Sequence, residues 1–426
     1  LSPDESRILL QISDNQLKPK EKDDEPQPFV INRRHFKRDA GDGYIVDGEN
    51  EHLYVYEIEE QTLSQLTTGS YEEDSAAWSP DGQSVVFVSN REEDPDIGYR
   101  TDLWLVSAAG DDSDASLVRL TNDDRPKYSP AFSPDGEEIA FLTAANGVYG
   151  NYHVAVVPVS GGEPRILTTE LDRWAGPFMY SSDSKWIYFS YYESGARLLA
   201  RVRVSDAKIE TLVSGDINLH SFDVADSGAV VLTASEANTP SNVYRVRRGE
   251  LSRVTDLNRE LLDELKLGAK TRHSFENDEG IRIDTFIVTP PDYEPGRAYP
   301  AILNIHGGPQ GQFAWGFSFA AQYYASKGHV VVEPNPRGSI GRSEEFLSAI
   351  YRLWGVPDFH DVMGAVDYAI EEGFADPDRL AVTGFSYGGY MTNVAITETD
   401  RFKAAASGAG HSLIEANVGH DIYQRW

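Results

Sequence analysis

The first 265 residues alternate short apolar segments with polar turns. The apolar segments are rich in β-branched and aromatic residues and alternate in polarity, which is the pattern of half-buried strands. Pro-Asp-Gly and similar sequences separate them, because proline presets φ and glycine accepts a positive φ. The pattern predicts strands at Leu53–Ile58, Leu103–Ala108, His153–Val159 and Asn242–Val246.

A turn-and-strand unit repeats through this region. Its copies are LSPDESRILLQIS from Leu1, WSPDGQSVVFVSN from Trp78, FSPDGEEIAFLTA from Phe132, and the weaker YSSDSKWIYFSYY from Tyr180 and VADSGAVVLTAS from Val224. The aspartates of successive copies are 77, 54, 48 and 43 residues apart. A second element of the Leu-Thr type closes each unit, as in Leu66-Thr67 and Leu120-Thr121.

A repeat of this length, built from several short strands, is typical of a β-propeller. A β-sandwich is the competing interpretation, but it would not repeat its turn at a near-constant period. We therefore assign residues 1–265 to a propeller with WSPDG-type blades. The charged segment from Asp14 to Tyr44 is interpreted as an insertion or long loop. Because the chain opens within a copy of the repeat, we expect this propeller to be incomplete at its N-terminus.

After residue 265 the pattern changes to buried strands that alternate with helices. This order predicts an α/β domain with a mostly parallel sheet over residues 266–426. The expected strands are Ala301–Ile305, His329–Glu333, Leu380–Thr383 and Lys403–Ser407, and the expected helices are Gln312–Lys327 and Pro357–Glu372.

The sequence GFSYGGY, from Gly384 to Tyr390, joins one of these strands to a helix. A serine that projects from a sharp strand-to-helix turn, with glycine two residues before and after it, forms the nucleophile elbow of α/β-hydrolases. Ser386 is therefore the predicted nucleophile. The backbone N–H of Tyr387, at the start of the helix, is a predicted oxyanion donor.

A second motif supports this interpretation. The strand Ala301–Ile305 runs into HGGPQG from His306. Loops of the HGG type supply the other oxyanion N–H in α/β-hydrolases, and glycine allows the backbone to turn its N–H groups inward. Gly308 is the predicted second donor.

Composition excludes several classes of protein. The net charge of −30 argues against a nucleic-acid binder, and no apolar run is long enough to span a membrane. The absence of cysteine excludes disulfides, thiolate catalysis and cysteine-based zinc sites. No metal site or cofactor motif is found, and we expect none. The composition does not decide the cellular compartment of the protein: cytoplasm is favoured and periplasm is an alternative.

These motifs together resemble those of the prolyl oligopeptidase family of serine peptidases, in its acylaminoacyl-peptidase and dipeptidyl-peptidase-like branch. The resemblance covers nearly the whole chain and is carried by HGGPQGQ from His306, NPRGSIGRSEEF from Asn335, WGVPDFHDV from Trp354, DPDRLAVTGFSYGGYMTN from Asp376 and DRFKAAASGAG from Asp400.

The resemblance implies hydrolysis of short peptides by acyl-enzyme chemistry, with the propeller excluding folded proteins. It also implies that Arg337 lies near the substrate channel. Substrate binding and a structural ion pair are the two alternative roles for this residue. A homo-oligomer is possible. The alternatives are an α/β-hydrolase esterase and a non-catalytic propeller protein that binds peptides.

The order of the catalytic triad along the chain indicates whether this sequence contains all three triad residues. In this fold the acid and then the histidine follow the serine. Only 40 residues follow Ser386, and the triad loops come after two later strands. We therefore expect the acid and histidine beyond Trp426, and expect this chain, incomplete at its C-terminus, to be inactive alone. The local candidates that topology disfavours are Asp400, His411, His420 and Asp421.

Overall fold

The computed structural model describes residues 1–13, 34, 36, 50–96, 98, 100–109, 117–144, 147–247 and 249–417. The described part of residues 1–253 forms successive antiparallel sheets. The first holds β1 (Arg7–Ser13), β2 (Glu51–Glu57) and β3 (Thr62–Gln65). The second holds β4 (Glu73–Trp78), β5 (Ser84–Ser89), β6 (Asp102–Ser107) and β7 (Val118–Arg119), and the third β8 (Lys127–Phe132), β9 (Glu138–Ala144), β10 (Tyr152–Pro158) and β11 (Arg165–Ile166).

The fourth sheet holds β12 (Ala175–Tyr180), β13 (Trp186–Glu193), β14 (Ala196–Arg203) and β15 (Ile209–Val213). The fifth holds β16 (Asn218–Val224), β17 (Val230–Glu236), β18 (Thr239–Arg247) and β19 (Glu250–Arg253). One parallel bridge, between Arg197 and Asn218, joins these two sheets. Each sheet contains one copy of the sequence repeat, as expected for propeller blades. The segment from Asp14 to Tyr44 lies outside the described residues.

The repeated Ser-x-Asp turn is held by its own side chains. The Ser79 hydroxyl donates to the Asp81 carboxylate at 2.6 Å and accepts from the Ser84 N–H at 2.9 Å. Equivalent bonds form around Asp4, Asp135 and Asp183. Hydrogen bonds, chiefly from Ser181, lower the pKa of Asp183 to about 2. In these four sheets the repeat is therefore a structural turn that leads into the next strand, which is β1 in the first sheet and the second strand in the other three.

The Leu-Thr element closes four of the blades by one recurring contact. The Thr67 hydroxyl accepts the Leu53 N–H at 2.9 Å, and the Thr121 hydroxyl accepts the Leu103 N–H at 3.1 Å. Thr168 and Thr255 accept the N–H groups of Val154 and Val243 in the same way. Each hydroxyl satisfies a strand N–H at the blade edge, which explains why threonine recurs at this position.

Apolar side chains pack between neighbouring blades. The clusters are Leu53, Val85, Phe87 and Val106 between the first and second sheets, and Val86, Leu103, Phe141 and Val157 between the second and third. A larger cluster continues from the third sheet through the fifth. Each strand thus buries its alternate residues against the next sheet, which follows from the period of two in the sequence.

The second half forms a six-stranded sheet in the order β20, β21, β23, β22, β24, β25. Its strands are β20 (Lys270–Glu276), β21 (Arg282–Val288), β22 (Tyr299–Ile305), β23 (Val330–Asn335), β24 (Ala375–Phe385) and β25 (Phe402–Gly408). The last four are mutually parallel, and β20 and β21 are antiparallel to their neighbours.

Helices cover both faces of this sheet. They are α2 (Phe319–Ser326), α3 (Glu344–Ser348), α4 (Pro357–Glu371) and α5 (Tyr387–Glu398), with α1 (Arg259–Glu264) in the linker before β20. Val332 of β23 packs in the cluster with α4 and α5, whereas its neighbour Val331 packs in the cluster with α2. A sheet covered on both faces is typical of the α/β class. No helix of the described ranges has the length and apolar character needed to cross a bilayer.

One local prediction is wrong. The helix expected over Gln312–Lys327 begins only after its N-cap, Ser318. The residues before it form no helix because their backbone makes tertiary hydrogen bonds, including Phe313 N–H to Asn335 Oδ1 at 2.7 Å.

Replacement of Thr121 by valine tests the blade-closing contact. Thr121→Val keeps the shape but leaves the buried Leu103 N–H without its acceptor, so we expect a loss of about 1–3 kcal/mol of unfolding free energy. Thr121→Ser keeps the hydroxyl and is the matched control. Urea unfolding of both variants measures the difference. Equal stability of the two variants would show that the hydroxyl does not close the blade.

Candidate active site

The predicted elbow is present at the end of β24. Ser386 lies between β24 and α5 with φ 58° and ψ −121°, a backbone conformation that residues other than glycine rarely adopt. Its N–H donates to the Gly408 carbonyl at 2.8 Å, and its carbonyl accepts from the Tyr390 N–H at 3.0 Å. The turn is thus fixed by β25 on one side and by α5 on the other.

The glycines of the motif are required by close backbone packing. A Cβ built on Gly384 would lie 2.3 Å from the Gly388 carbonyl oxygen, and one on Gly388 would lie 2.1 Å from the Ile305 oxygen. Neither contact is compatible with a side chain. The strand, the helix and the end of β22 are therefore in direct contact around Ser386.

The loop after β22 lies beside the serine. A Cβ built on Gly307 would be 3.6 Å from the Ser386 Cβ and 3.2 Å from the Phe385 oxygen. Gly308 has φ 133°, which a residue with a side chain rarely adopts. The structure thus places the loop that carries Gly308 beside Ser386 and Tyr387. The sequence assigns these three residues to the nucleophile and the oxyanion hole.

His306 fixes the orientation of this loop. Its Nδ1 lies 2.8 Å from the Gly307 carbonyl oxygen and its Nε2 lies 3.0 Å from the Ser339 hydroxyl. A carbonyl can only accept, so Nδ1 carries the proton and Nε2 accepts from Ser339. Burial lowers the pKa of His306 to about 4, so the imidazole is neutral near pH 7.

The Tyr387 side chain has a structural role. It is buried and donates a hydrogen bond to Asp358 at the start of α4. Burial raises the pKa of Asp358, whose carboxylate also accepts N–H groups from Gly355 and Phe359. The Trp354 ring packs edge-on against Tyr387 at 5.0 Å between centroids. This contact anchors the first turn of α5, and with it the Tyr387 N–H.

Arg337 lies in a buried ion pair. Its Nε donates to Asp361 at 2.9 Å, and its Nη1 and Nη2 donate to the two oxygens of Glu279, each at 2.9 Å. Nη2 also donates to Asp361 at 3.0 Å and to the Pro357 carbonyl at 3.2 Å. All three nitrogens of the guanidinium donate to protein acceptors, which favours the structural ion pair over substrate binding.

The remaining candidates lie at the end of the described chain. Asp400 is exposed in the turn before β25, and His411 follows β25, where its carbonyl accepts from Asn393 Nδ2 at 3.1 Å. His420 and Asp421 lie outside the described residues. Sequence reasoning did not find the contacts of Asp358 and Gln312, although Gln312 stands within the HGGPQGQ motif.

Two family models match the chain. The model of the prolyl oligopeptidase family matches residues 315–426, and that of the dipeptidyl peptidase IV N-terminal region matches residues 12–140. Dipeptidyl-peptidase 5 of Porphyromonas gingivalis is 27% identical over 90% of this chain, which spans 55% of that protein. The uncharacterized peptidase YuxL of Bacillus subtilis is 28% identical over 99% of this chain, which spans 69% of that protein.

Solved structures show the same fold. An acylaminoacyl peptidase in complex with Z-Gly-Gly-Phe-chloromethyl ketone has a TM-score of 0.80 and 24% identity, covering 100% of this chain and 65% of that one. Acylaminoacyl peptidase of Pyrococcus horikoshii has a TM-score of 0.78 and 23% identity, covering 99% of this chain and 66% of that one. These likenesses show the fold, and the two family models show similarity to the prolyl oligopeptidase family over residues 315–426 and to the dipeptidyl peptidase IV N-terminal region over residues 12–140.

Proposed function

We propose that the protein is a serine peptidase that hydrolyses short peptides through an acyl-enzyme. The observation that carries the proposal is the contact between the strained Ser386 elbow and the Gly307–Gly308 loop. In acyl transfer, a serine nucleophile must lie beside N–H donors that stabilise the oxyanion. The family matches support peptidase chemistry for this pair of elements.

The orientation of one peptide plane supports Gly308 as a donor. In a trans peptide, the C=O of one residue and the N–H of the next point in opposite directions. Because the Gly307 carbonyl faces His306 Nδ1, the Gly308 N–H points away from His306. We propose that it faces the substrate carbonyl. The Tyr387 N–H, at the N-terminus of α5, supplies the second hydrogen bond, aided by the helix dipole.

The chemistry proceeds in two steps. The Ser386 oxygen attacks the carbonyl carbon while its proton passes to a histidine base, and the N–H pair holds the oxyanion. The C–N bond then breaks as the base protonates the leaving amine, and water hydrolyses the acyl-enzyme. By the order of triad residues in this fold, we propose that the acid and histidine follow the elbow along the chain.

We propose short peptides as substrates. Relatives carry the names dipeptidyl-peptidase 5 and acylaminoacyl peptidase, and one related structure holds a peptide chloromethyl ketone ending in Phe. The propeller packs directly on the catalytic domain. For example, the backbone N–H of Asn151 donates to the side-chain carboxylate of Glu344 at 3.2 Å. A covering propeller would limit access to extended, unfolded chains.

Ser386→Ala tests the function in the protein expressed from its complete gene. We expect hydrolysis of acetyl-Phe and Gly-Phe p-nitroanilides to fall by about 10⁴-fold or more, because no other group replaces the nucleophile. Covalent labelling by a fluorophosphonate should be lost as well. Ser412→Ala, which removes an exposed serine after β25, is the control and should keep both.

Two results would contradict the proposal. Labelling that persists in Ser386→Ala would place the nucleophile elsewhere. Turnover of the acetyl-Phe p-nitrophenyl ester with no turnover of either anilide, by a protein that labels at Ser386, would indicate an esterase.

The neutral His306 predicts a pH dependence of stability. Its folded-state pKa of about 4 lies below the ordinary value of 6.5, so the unfolded chain takes up a proton first as pH falls. Its stabilising contribution is complete above pH 6.5 and is lost as pH falls towards 4. Urea unfolding between these pH values measures how steeply the unfolding free energy changes with pH. The slope should be steeper in the wild type than in His306→Gln, by an amount that corresponds to the uptake of up to about one proton on unfolding. Parallel slopes would show that His306 is not held neutral.

A further inference from the structure

The hairpin between β13 and β14 reaches from the propeller into the catalytic domain. The Ser194 N–H donates to the Gly341 carbonyl at 2.8 Å, and the Ser194 carbonyl accepts from Arg272 Nη1 at 2.7 Å. The Gly195 carbonyl accepts from the Trp315 N–H at 2.8 Å. The backbone of the hairpin tip is therefore bonded almost entirely to the other domain.

Gln312 completes this contact with a single side-chain amide. Its Oε1 accepts the Gly195 N–H at 3.1 Å, and its Nε2 donates to the Ala196 carbonyl at 3.1 Å. Gly341 lies against the same amide, since a Cβ built there would be 2.4 Å from Gln312 Oε1. One amide thus satisfies a donor and an acceptor of the hairpin at once.

The hairpin fits the catalytic domain closely. Gly195 has φ 81°, and a Cβ built on it would lie 2.5 Å from Phe286 Cζ. The Phe286 ring packs edge-on against Trp315 at 5.1 Å between centroids. Close packing of this kind transmits displacement instead of absorbing it.

Gln312 adjoins the proposed oxyanion loop. Its neighbour Gly311 packs on the Gly307 carbonyl: a Cβ on Gly311 would lie 2.6 Å from that oxygen and 3.2 Å from His306 Nδ1. The Gly311 carbonyl also accepts from the Ile340 N–H at 3.1 Å. A shift of Gln312 would therefore move Gly311 against the carbonyl that orients the Gly308 N–H.

We propose that Gln312 is a positioning residue that couples propeller docking to the geometry of the oxyanion hole. The inference rests on the proposed function, because it assigns Gln312 a role at the same site. The propeller then contributes to the rate of turnover as well as to the control of substrate access to the active site. Its hairpin holds Gln312, Gln312 holds Gly311, and Gly311 backs the Gly307–Gly308 peptide.

Gln312→Ala tests the coupling in the protein expressed from its complete gene. We expect kcat on acetyl-Phe p-nitroanilide to fall by about 10–100-fold with KM changed less than about twofold, because small displacements of an oxyanion donor act on the transition state. Gln322→Ala is the matched control. The side-chain amide of Gln322 in α2 also hydrogen-bonds to backbone through both its oxygen and its nitrogen, in this case to Gly268 in the linker. Gln322 does not adjoin the loop that begins at His306. Its kcat should be unchanged.

Hydrogen–deuterium exchange gives a readout that does not need activity. We expect the peptide that contains residues 306–312 to exchange faster in Gln312→Ala than in wild type or Gln322→Ala. Gln312→Glu keeps the acceptor for Gly195 but turns a carboxylate oxygen towards the Ala196 carbonyl, so exchange at residues 306–312 should rise as well. It also serves if Gln312→Ala fails to fold.

The outcomes separate the two proposals. If Gln312→Ala changes kcat and exchange no more than Gln322→Ala does, the coupling is wrong while the peptidase proposal stands. If wild type turns over no substrate, the proposed function falls and exchange alone decides: faster exchange at residues 306–312 supports the coupling, and unchanged exchange overturns it.

Discussion

The close backbone contact between the elbow and β22 is the constraint on which the site depends. A side chain at Gly388 would lie 2.1 Å from the Ile305 oxygen, so only glycine allows the start of α5 to approach the end of this strand. That approach places Ser386 beside the loop that begins at His306. The positive φ of Ser386 is held by bonds from β25 and α5, which offset the cost of the strained backbone. Ser386, the proposed nucleophile, is thus positioned by the packing of rigid elements.

Around this contact, polar side chains fix the orientation of the backbone. His306 holds the Gly307 carbonyl, and Asp358 anchors the Tyr387 side chain. Neither interaction requires the side chain to touch a substrate. The propeller adds a third support, since its hairpin at Gly195 bonds to Gln312. The two domains are therefore connected at the point where the proposed chemistry takes place.

Much of this could be predicted from sequence because the signals are local. The blades follow from a repeated turn whose serine and aspartate bond each other within two residues, and the elbow follows from glycine spacing. The failures involve distant partners. Glu279, which pairs with Arg337, is 58 residues away in sequence, and the helix start at Ser318 is set by bonds from Phe313 to Asn335. No local pattern records such pairings, so propensity alone extended the helix to Gln312.

The most direct test of the account is a crystal structure of the protein from its complete gene after reaction with a peptidyl phosphonate. The account predicts a covalent bond at Ser386 and a phosphonyl oxygen about 2.7–3.1 Å from both the Gly308 and Tyr387 nitrogens. An adduct whose oxygen faces solvent, or a Gly307–Gly308 peptide turned so that its carbonyl points at the adduct, would contradict it.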